Sequence, residues 1–445
     1  MNARPVPLCT SPIADVASLE CEVSYAAAIT AGNDLVKALK LGLNDACVDQ
    51  QGIHLHMISL STTARIGHDI DTCGSGVDCD QAQRSGLYPA IAQMIQADYA
   101  TTSVVEGCKV QDYLNLPGVE QAFFNIVPMI AEQPKAIIGT TRFEEINGTR
   151  TLEVPTALVN PYYLRDVEVG TAPRRIKDDF DYALLRKYTS NCGTAAGATR
   201  DEAILQAMLA AQEHRAAGRF AVQGIALRQP QFLRRVDEAT LPAQIRALWE
   251  ITEKRHGQRV HLFDIRGQGM TPTYLACAEG PTPIEYSVTT GAGFTAEHAA
   301  TRALRTLLQQ HEFNAWMRSR NGSDPAAAMQ RRQQDFLSVH DGQYRQFAVQ
   351  NLQAIISSGD FETVAFGKAG DPLADTLSGR IEQLRENFRH AGLTPWVSQY
   401  KVPGAANALA CVQVLLAPFD ADFLLLHGVP VGISVASLEA AANQE

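Results

Sequence analysis

Three stretches of this chain repeat one construction: a glycine, a short polar turn, and a helical run with alanine six residues after the glycine. They are Gly32–Asp49 (GNDLVKALKLGLNDACVD), Gly197–His214 (GATRDEAILQAMLAAQEH) and Gly293–Gln310 (GFTAEHAATRALRTLLQQ), with Ala38, Ala203 and Ala299 in register. A helix that opens on glycine presents free backbone N–H groups and the positive end of its dipole. That end is a natural seat for a phosphate or carboxylate. Three such helices can be brought around one cleft, where the side chains at equivalent depths set the chemistry.

The rest of the composition bounds the class of protein. A chain of 445 residues with 46% hydrophobic content can bury a full core. A net charge of -10 and the lack of a Lys/Arg block argue against a general nucleic-acid binder. The N-terminus MNARPVPLCTSPIAD lacks a signal-peptide stretch, and no run of 18 apolar residues could span a bilayer. Nine cysteines are scattered with no CxxC pair, which implies reduced thiols in a cytoplasmic protein.

Strand-like and helix-like segments alternate along the chain, which points to an α/β architecture. Residues 1–25 form an N-terminal arm, 26–430 one domain and 431–445 a tail that frays as a helix. Helical spacing predicts helices over Leu35–Val48, Leu87–Ala97, Glu120–Glu132, Leu241–Lys254 and Leu373–His390, with a solvated helical pair over Glu312–Ala354. Strands are predicted at Ile53–Leu60, Lys135–Thr140, Thr149–Asn160, Val260–Asp264, Thr273–Ala278, Glu285–Thr290, Glu362–Phe366, Trp396–Val402, Ala408–Leu416 and Phe423–Val429. The Gly- and Asp-rich GHDIDTCGSGVDCDQ reads as a loop.

Counting from each glycine, the thirteenth position holds Asp45, Ala210 and Thr306, and the sixteenth holds Val48, Glu213 and Gln309. On a helix these two positions share a face. Glu202 and Glu213, eleven apart, point the same way but lie roughly 16 Å apart along the axis, so they cannot hold one ion together. Taken by themselves, Gly197 and Gly293 serve turn geometry, Ala203 and Ala299 serve packing, and Asp34, Asp201, Glu202 and Glu297 complement helix dipoles. Cys73 and Cys79 with His68, Asp69, Asp71 and Asp80 could bind metal, but a spacing of six between cysteines fits no common zinc pattern. His54 and His56 share one face of a strand, and ordinary sheet-face histidines outweigh a ligand pair. The turn in FDIRGQGM (Phe263–Met270) is structural rather than a phosphate cradle, since no helix clearly follows.

In combination, SNCGTAAGATRDEAILQAMLAAQEHR (Ser190–Arg215), GAGFTAEHAATRALRTLLQQ (Gly291–Gln310) and HAGLTPWVSQYKV with ALACVQVLLAP (His390–Pro418) resemble the YcaO family, in order, from about Ala26 to Leu426. The resemblance implies a YcaO-type fold with mixed sheets flanked by helices and the three glycine-initiated units around a central cleft. It also implies binding of ATP and Mg2+ and a role in maturing ribosomally made peptides. There a Cys, Ser or Thr side chain, or an external sulfur donor, attacks a backbone carbonyl whose oxygen is phosphorylated so that it can leave. The products are azolines (thiazole/oxazole precursors), thioamides or amidines. Such chemistry needs acidic magnesium ligands and a cation on the phosphates.

Carried over by position, the resemblance makes Glu202 the metal-binding glutamate of the EA motif, Glu213 the second glutamate of ExxER, and Arg302 the arginine of LxRALxE. Asp45 is a shorter stand-in for the first glutamate of an early ExxE helix. Asp45, Glu202 and Glu213 are therefore the implied metal ligands, and Glu202, Glu213, Arg302 and Arg215 the implied nucleotide contacts. No catalytic residue is assigned. The departures are Ala210, Val48 and Thr306 in place of carboxylates, and His214 in place of an arginine unless Arg215 compensates. Cys192-Gly193 in place of Asn-Gly leans toward the divergent, microcin-synthetase type.

Two outcomes follow from the resemblance: an ATP-dependent cyclodehydratase-like enzyme, or a catalytically degenerate subunit that binds peptide or positions an active partner. The end EAAANQE lacks a proline-rich tail. No E1-like or winged-helix leader-binding module shows in the sequence, so the expected partners are a precursor peptide, a separate leader-binding protein and a flavin-dependent dehydrogenase. Homodimers are common in the family, and a hetero-complex is the other expected assembly.

Overall fold

In the computed structural model the residues described are 20–50, 53–61, 69–98, 105–168, 176–279, 287–321, 352–367, 374–402, 409–427, 429 and 431–433. The first helix, α1 (Tyr25–Ala38), starts on Ser24, whose Oγ accepts from the Ala27 N–H at 3.3 Å. Gly32 thus lies inside this helix, not at its start, where it packs against the end of the Leu87 side chain. The helix expected over Leu35–Val48 is corrected on its second half. The chain turns at Lys40, with φ of 57°, into β1 (Gly42–Gln50). Leu39, Leu41 and Leu43 alternate at a spacing of two and pack on the core, a strand period that the helical reading passed over.

Strand β1 pairs antiparallel with β2 (Ile53–Ser61), and β2 with β3 (Ile70–Gly76), in a three-stranded sheet. This β3 occupies much of the expected GHDIDTCGSGVDCDQ loop, of which residues 67 and 68 lie outside the described residues. Then α2 (Cys79–Asp98) begins, with the Asp78 carboxylate accepting from the Gln81 N–H at 2.8 Å. Such a cap satisfies a backbone donor of the first turn.

After β4 (Val105–Lys109) come short helical turns, β5 (Ile137–Glu145) and β6 (Thr151–Pro155). The strand expected over Thr149–Asn160 stops at Pro155 and becomes a helical turn at Thr156–Val159. The short β7 (Thr194–Gly197) leads into α3 (Arg200–Arg219), which Thr199 caps by accepting from the Glu202 N–H at 3.2 Å. Next are β8 (Arg234–Val236), α4 (Ala243–His256), β9 (Val260–Asp264), β10 (Thr273–Ala278) and β11 (Ser287–Ala292). Long α5 (Ala296–Asn321) is capped by Thr295, which accepts from the His298 N–H at 3.1 Å. Most of the expected helical pair over Glu312–Ala354 lies outside the described residues.

The chain closes through β12 (Glu362–Val364), α6 (Leu377–His390), β13 (Thr394–Tyr400) and β14 (Ala410–Ala417). Phe423–Val429, expected as a strand, is corrected to a 3-10 turn over Asp422–His427 that packs Phe423 and Leu424 into the core. One further sheet runs β11-β10-β9-β8-β12, and another runs β4-β5-β13-β14-β7 with β6 on β5. The mixed sheets flanked by helices match the expected fold class. No helix among the described residues is long and apolar enough to cross a membrane.

The glycine-helix construction holds at Gly197 and Gly293, two residues ahead of the Thr199 and Thr295 caps, while Gly32 gives way to Gly76, two residues ahead of Asp78 and six ahead of Ala82. In three places a strand carrying glycine passes directly under the start of the next helix. A Cβ on Gly74 of β3 would overlap the Ala82 carbonyl oxygen and the Gly86 N–H of α2. One on Gly197 of β7 would overlap the Ala203 N–H of α3, and one on Gly291 of β11 would overlap the Ala303 N–H of α5. The contacts are backbone against backbone and cannot be relieved by a side-chain rotation. Gly74→Ala is accordingly expected to cost about 1–3 kcal/mol, as overpacking does. Urea denaturation measures it, and a change below about 0.5 kcal/mol would show that α2 is free to lift.

Candidate functional site

The helices that open over Gly74, Gly197 and Gly291 bring their first turns to the rim of one cavity of about 600 Å3. From α2 it receives Gln81, Arg84, Ser85 and Tyr88, from α3 Gln206 and Ala210, and from α5 His298, Arg302, Arg305, Thr306 and Gln309. The caps explain this convergence. Three residues after the cap stand Gln81 and His298, and seven after it stand Ser85, Gln206 and Arg302, all on the cavity wall. Glu20 and Cys21, just ahead of α1, close one side.

Glu202 stands three residues after the Thr199 cap, the T-x-x-E spacing of a capping box. It is fully buried. One oxygen accepts from the Glu22 N–H at 2.5 Å, and the other from the Ala198 N–H at 2.9 Å and from Arg84 at 3.2 Å. Arg84 also lies over the rings of Tyr25 and Tyr88, at 5.7 and 5.2 Å from their centroids. Its Nε is buried without a hydrogen-bond acceptor. Glu202 thus ties α3, α2 and the segment before α1 together and presents Arg84 to the cavity.

Glu213 does the same for Arg302. Its Oε1 lies 3.1 Å from the Arg302 Nε and accepts from the Ala292 N–H at 3.0 Å. Arg302 also donates to Gln206 Oε1 at 3.2 Å, while Gln206 donates to Glu20 Oε2 at 2.8 Å. Burial pushes the Glu213 carboxyl up despite Arg302, whereas Glu213 and Glu20 together outweigh desolvation at Arg302 and hold it charged. Burial works against ionisation of Glu20 too, but His298, Arg302, Gln206 and Arg84 pull its carboxyl below the ordinary value. Glu20 Oε1 lies 3.3 Å from His298 Nδ1 and receives no hydrogen bond. Arg305, one turn beyond Arg302, has no ion-pair partner among the described residues, and burial lowers its affinity for the proton.

The carboxylates and arginines singled out in the sequence are therefore distributed unevenly. Arg302 lines the cavity; Glu202 and Glu213 stand behind it, each bonded to a lining arginine. Asp45 lies on β1 rather than a helix, outside the cavity wall, and its Oδ2 is held by His56 Nε2 at 2.8 Å and Gln83 Nε2 at 3.0 Å. Arg215 and His214 turn the other way. Arg215 pairs with Asp420 and donates to the Pro418 carbonyl, and His214 Nδ1 lies 2.7 Å from the Ala210 carbonyl oxygen. Ala210 and Thr306, which stand where the family resemblance puts carboxylates, do line the cavity.

Glu20, Arg84 and Arg305 escape the sequence reading. The H-x-x-x-R-x-x-R spacing of His298, Arg302 and Arg305 places three basic groups on one helix face and is the signal that finds Arg305. Arg84 sits just beyond the segment read as a loop, and Glu20 within the arm, with no local signal for either. Three guanidiniums, with Glu20 and Glu297 the facing carboxylates, line the wall and offer forked donors of the kind that suit phosphate oxygens.

A family model described as YcaO cyclodehydratase, ATP- and Mg2+-binding, matches residues 133–418. Among solved structures, a YcaO protein from Methanopyrus kandleri bound with AMPPCP and Mg2+ is 14% identical, with 93% of this chain and 95% of that chain covered and a TM-score of 0.61. A heterocyclase in complex with substrate and cofactor is 13% identical, covering 98% of this chain and 58% of that one, with a TM-score of 0.61. The E. coli microcin synthetase McbBCD complex gives 12% identity, 85% and 87% coverage and a TM-score of 0.55. At these identities the likeness is one of fold. No curated protein matches the sequence significantly.

The bonding of Glu202 separates it from an ordinary surface acid. Removing one partner of a buried ion pair strands the other charge, so Glu202→Ala is expected to cost about 3–5 kcal/mol. Asp45→Ala, at a part-exposed pair, should cost about 1 kcal/mol or less. Denaturant titration of the two variants tests this, and equal costs would show that Glu202 is not a structural tie.

Proposed function

Because the chain belongs to the YcaO family, we propose that it works in the maturation of a ribosomally made peptide, with ATP seated on Arg84, Arg302 and Arg305. The observation that carries this reading is the convergence of the three guanidiniums on one cavity of about 600 Å3. That volume is typical of small-ligand sites. Arg305 and the Nε of Arg84 supply cationic donors that no described residue occupies.

When bound, ATP supplies the phosphoryl group that leaves as phosphate with the oxygen of the activated amide. The part left to this chain is charge placement, which dominates catalysis of phosphoryl transfer. Glu213 and Gln206 fix Arg302, and Glu202 with two tyrosine rings fixes Arg84, so both cations are oriented before any ligand arrives. Magnesium finds fewer partners. Glu202 and Glu213 give their oxygens to arginines and backbone N–H groups, which leaves Glu20, with its bare buried oxygen, and the more exposed Glu297 as the carboxylates that face the cavity. One or two carboxylates together with ligand phosphates and water suit an ion that keeps much of its hydration. The substrate class is a precursor-peptide backbone amide, with azoline, thioamide or amidine as product, and a separate leader-binding protein as partner.

A second reading is favoured by Ala210 and Thr306 on the cavity wall, which offer no carboxylate there. On that reading the chain is a non-catalytic subunit that holds peptide or steadies an active partner. Titration calorimetry with a non-hydrolysable ATP analogue, with and without Mg2+, addresses the seat itself. Binding is expected, and Arg305→Ala, which breaks no ion pair among the described residues, should weaken it on the order of tenfold or more, since hydrogen bonds to charged groups contribute about 1.5–3 kcal/mol. Absence of binding overturns the nucleotide reading. Binding with no ADP release, when a candidate precursor and its leader-binding partner are both present, selects the non-catalytic subunit.

A further inference from the structure

A second cluster of chemically capable side chains lies outside the cavity, where β1, β2 and the start of α2 meet. Cys47 of β1 stands directly opposite His56 of β2 in the antiparallel ladder. Cys79, the first residue of α2, is placed beside them with its Sγ 3.8 Å from His56 Nδ1. One ligand atom from each of Cys47, His56 and Cys79 lies within 4.8 Å of the others. The set differs from those visible in the sequence. Cys73 pairs in register with Met57, one residue from His56 and hence on the opposite face, so it cannot join Cys79. His68 lies outside the described residues.

We propose that Cys47, Cys79 and the Nδ1 of His56 bind a zinc ion, with Asp45 orienting the imidazole. Tetrahedral zinc, with Zn–S of about 2.3 Å and Zn–N of about 2.0–2.1 Å, sets ligand atoms ~3.5–3.8 Å apart. The His56–Cys79 edge already has that length, and Cys47, exposed on an edge strand, closes the rest by a small movement of its side chain. The Asp45 carboxylate, 2.8 Å from His56 Nε2, accepts a hydrogen bond from the N–H of that nitrogen in the tautomer that leaves the Nδ1 lone pair facing Cys79. A carboxylate behind a ligating histidine is the usual outer partner in zinc sites. Gln83 donates to the same carboxylate at 3.0 Å and steadies it. Two thiols and an imidazole select a thiophilic cation over magnesium or calcium.

Three protein ligands leave the fourth position to water or an incoming donor. The ion would pin the edge strand β1 to the first turn of α2. Gln81 and Arg84 of that helix reach the cavity within the next turn and a half, so the site bears on their placement. The inference does not rest on ATP binding there.

The test uses the full chain, reduced and stripped of metal. Zn2+ is titrated against a chromophoric chelator, and Co2+ is added as a spectroscopic probe. One equivalent of zinc should bind, and cobalt should give tetrahedral ligand-field bands with a thiolate charge-transfer band. Cys47→Ser and Cys79→Ser should each weaken zinc on the order of a hundredfold or more and remove or halve the thiolate band, with circular dichroism unchanged. Asp45→Asn should weaken zinc by about 10–100-fold while keeping the band, the effect of losing an outer partner. The proposal is overturned if no stoichiometric zinc binds, if the two serine variants bind as the parent does, or if anaerobically purified protein carries a Cys47–Cys79 disulfide.

Discussion

The contact on which the cavity depends is the close approach of three helix starts to three glycine-bearing strands. At Gly74, Gly197 and Gly291 the strand backbone touches the helix backbone, and a methyl group has nowhere to go. Each helix then begins at a fixed depth over its strand, with Asp78, Thr199 or Thr295 accepting a first-turn N–H. Side chains three and seven residues beyond each cap are carried to the same wall. Close packing is thus what converts a strand-cap-helix pattern into a site, because a helix held farther off would scatter these side chains.

Glu202 and Glu213 act on this frame through the groups they bond rather than as open ligands. A carboxylate can hold a metal only with an oxygen to spare. Glu202 spends both of its oxygens on Arg84 and backbone N–H groups, and Glu213 divides its own among Arg302, Ala292 and Thr290. A buried arginine left without such a partner is costly, so the two glutamates make it possible for guanidiniums to line the cavity. The balance moves from acidic ligands for a cation toward basic ligands for an anion. Ala210 and Thr306, on the same wall, add no negative charge to it.

Much of the architecture could be read from local periodicity, and the failures have particular causes. Units two and three were visible because glycine, threonine cap and helical stripe follow one another without interruption. Gly32 stands in for unit one in the sequence because Leu35, Val36 and Leu39 continue a helical stripe; the alternation of Leu39, Leu41 and Leu43 that starts a strand overlaps it by one residue. The true counterpart, Gly76 with the Asp78 cap two residues on and Ala82 six residues on, hides in a segment whose glycines and aspartates look like a loop. Those glycines are there for close approach rather than for a turn. The ion-pair partners were beyond reach for another reason: Glu20–Arg302 and Arg84–Glu202 join residues far apart in sequence, and no local pattern links them.

Helix α2 connects the two chemically distinct places in the molecule. Its first residue, Cys79, faces His56, and Arg84, five residues on, faces the cavity, so about one and a half turns of helix separate them. A helix is stiff over that distance, and Gly74 holds this one against β3 without slack. A shift of its first turn must therefore either move Arg84 or break the pair with Glu202. Since Glu202 is buried and also bonded to the segment before α1, the less costly response is to resist the shift. The hairpin edge and the arginine-lined wall are thus mechanically one unit, and whatever steadies Cys79 steadies the guanidinium that the cavity presents.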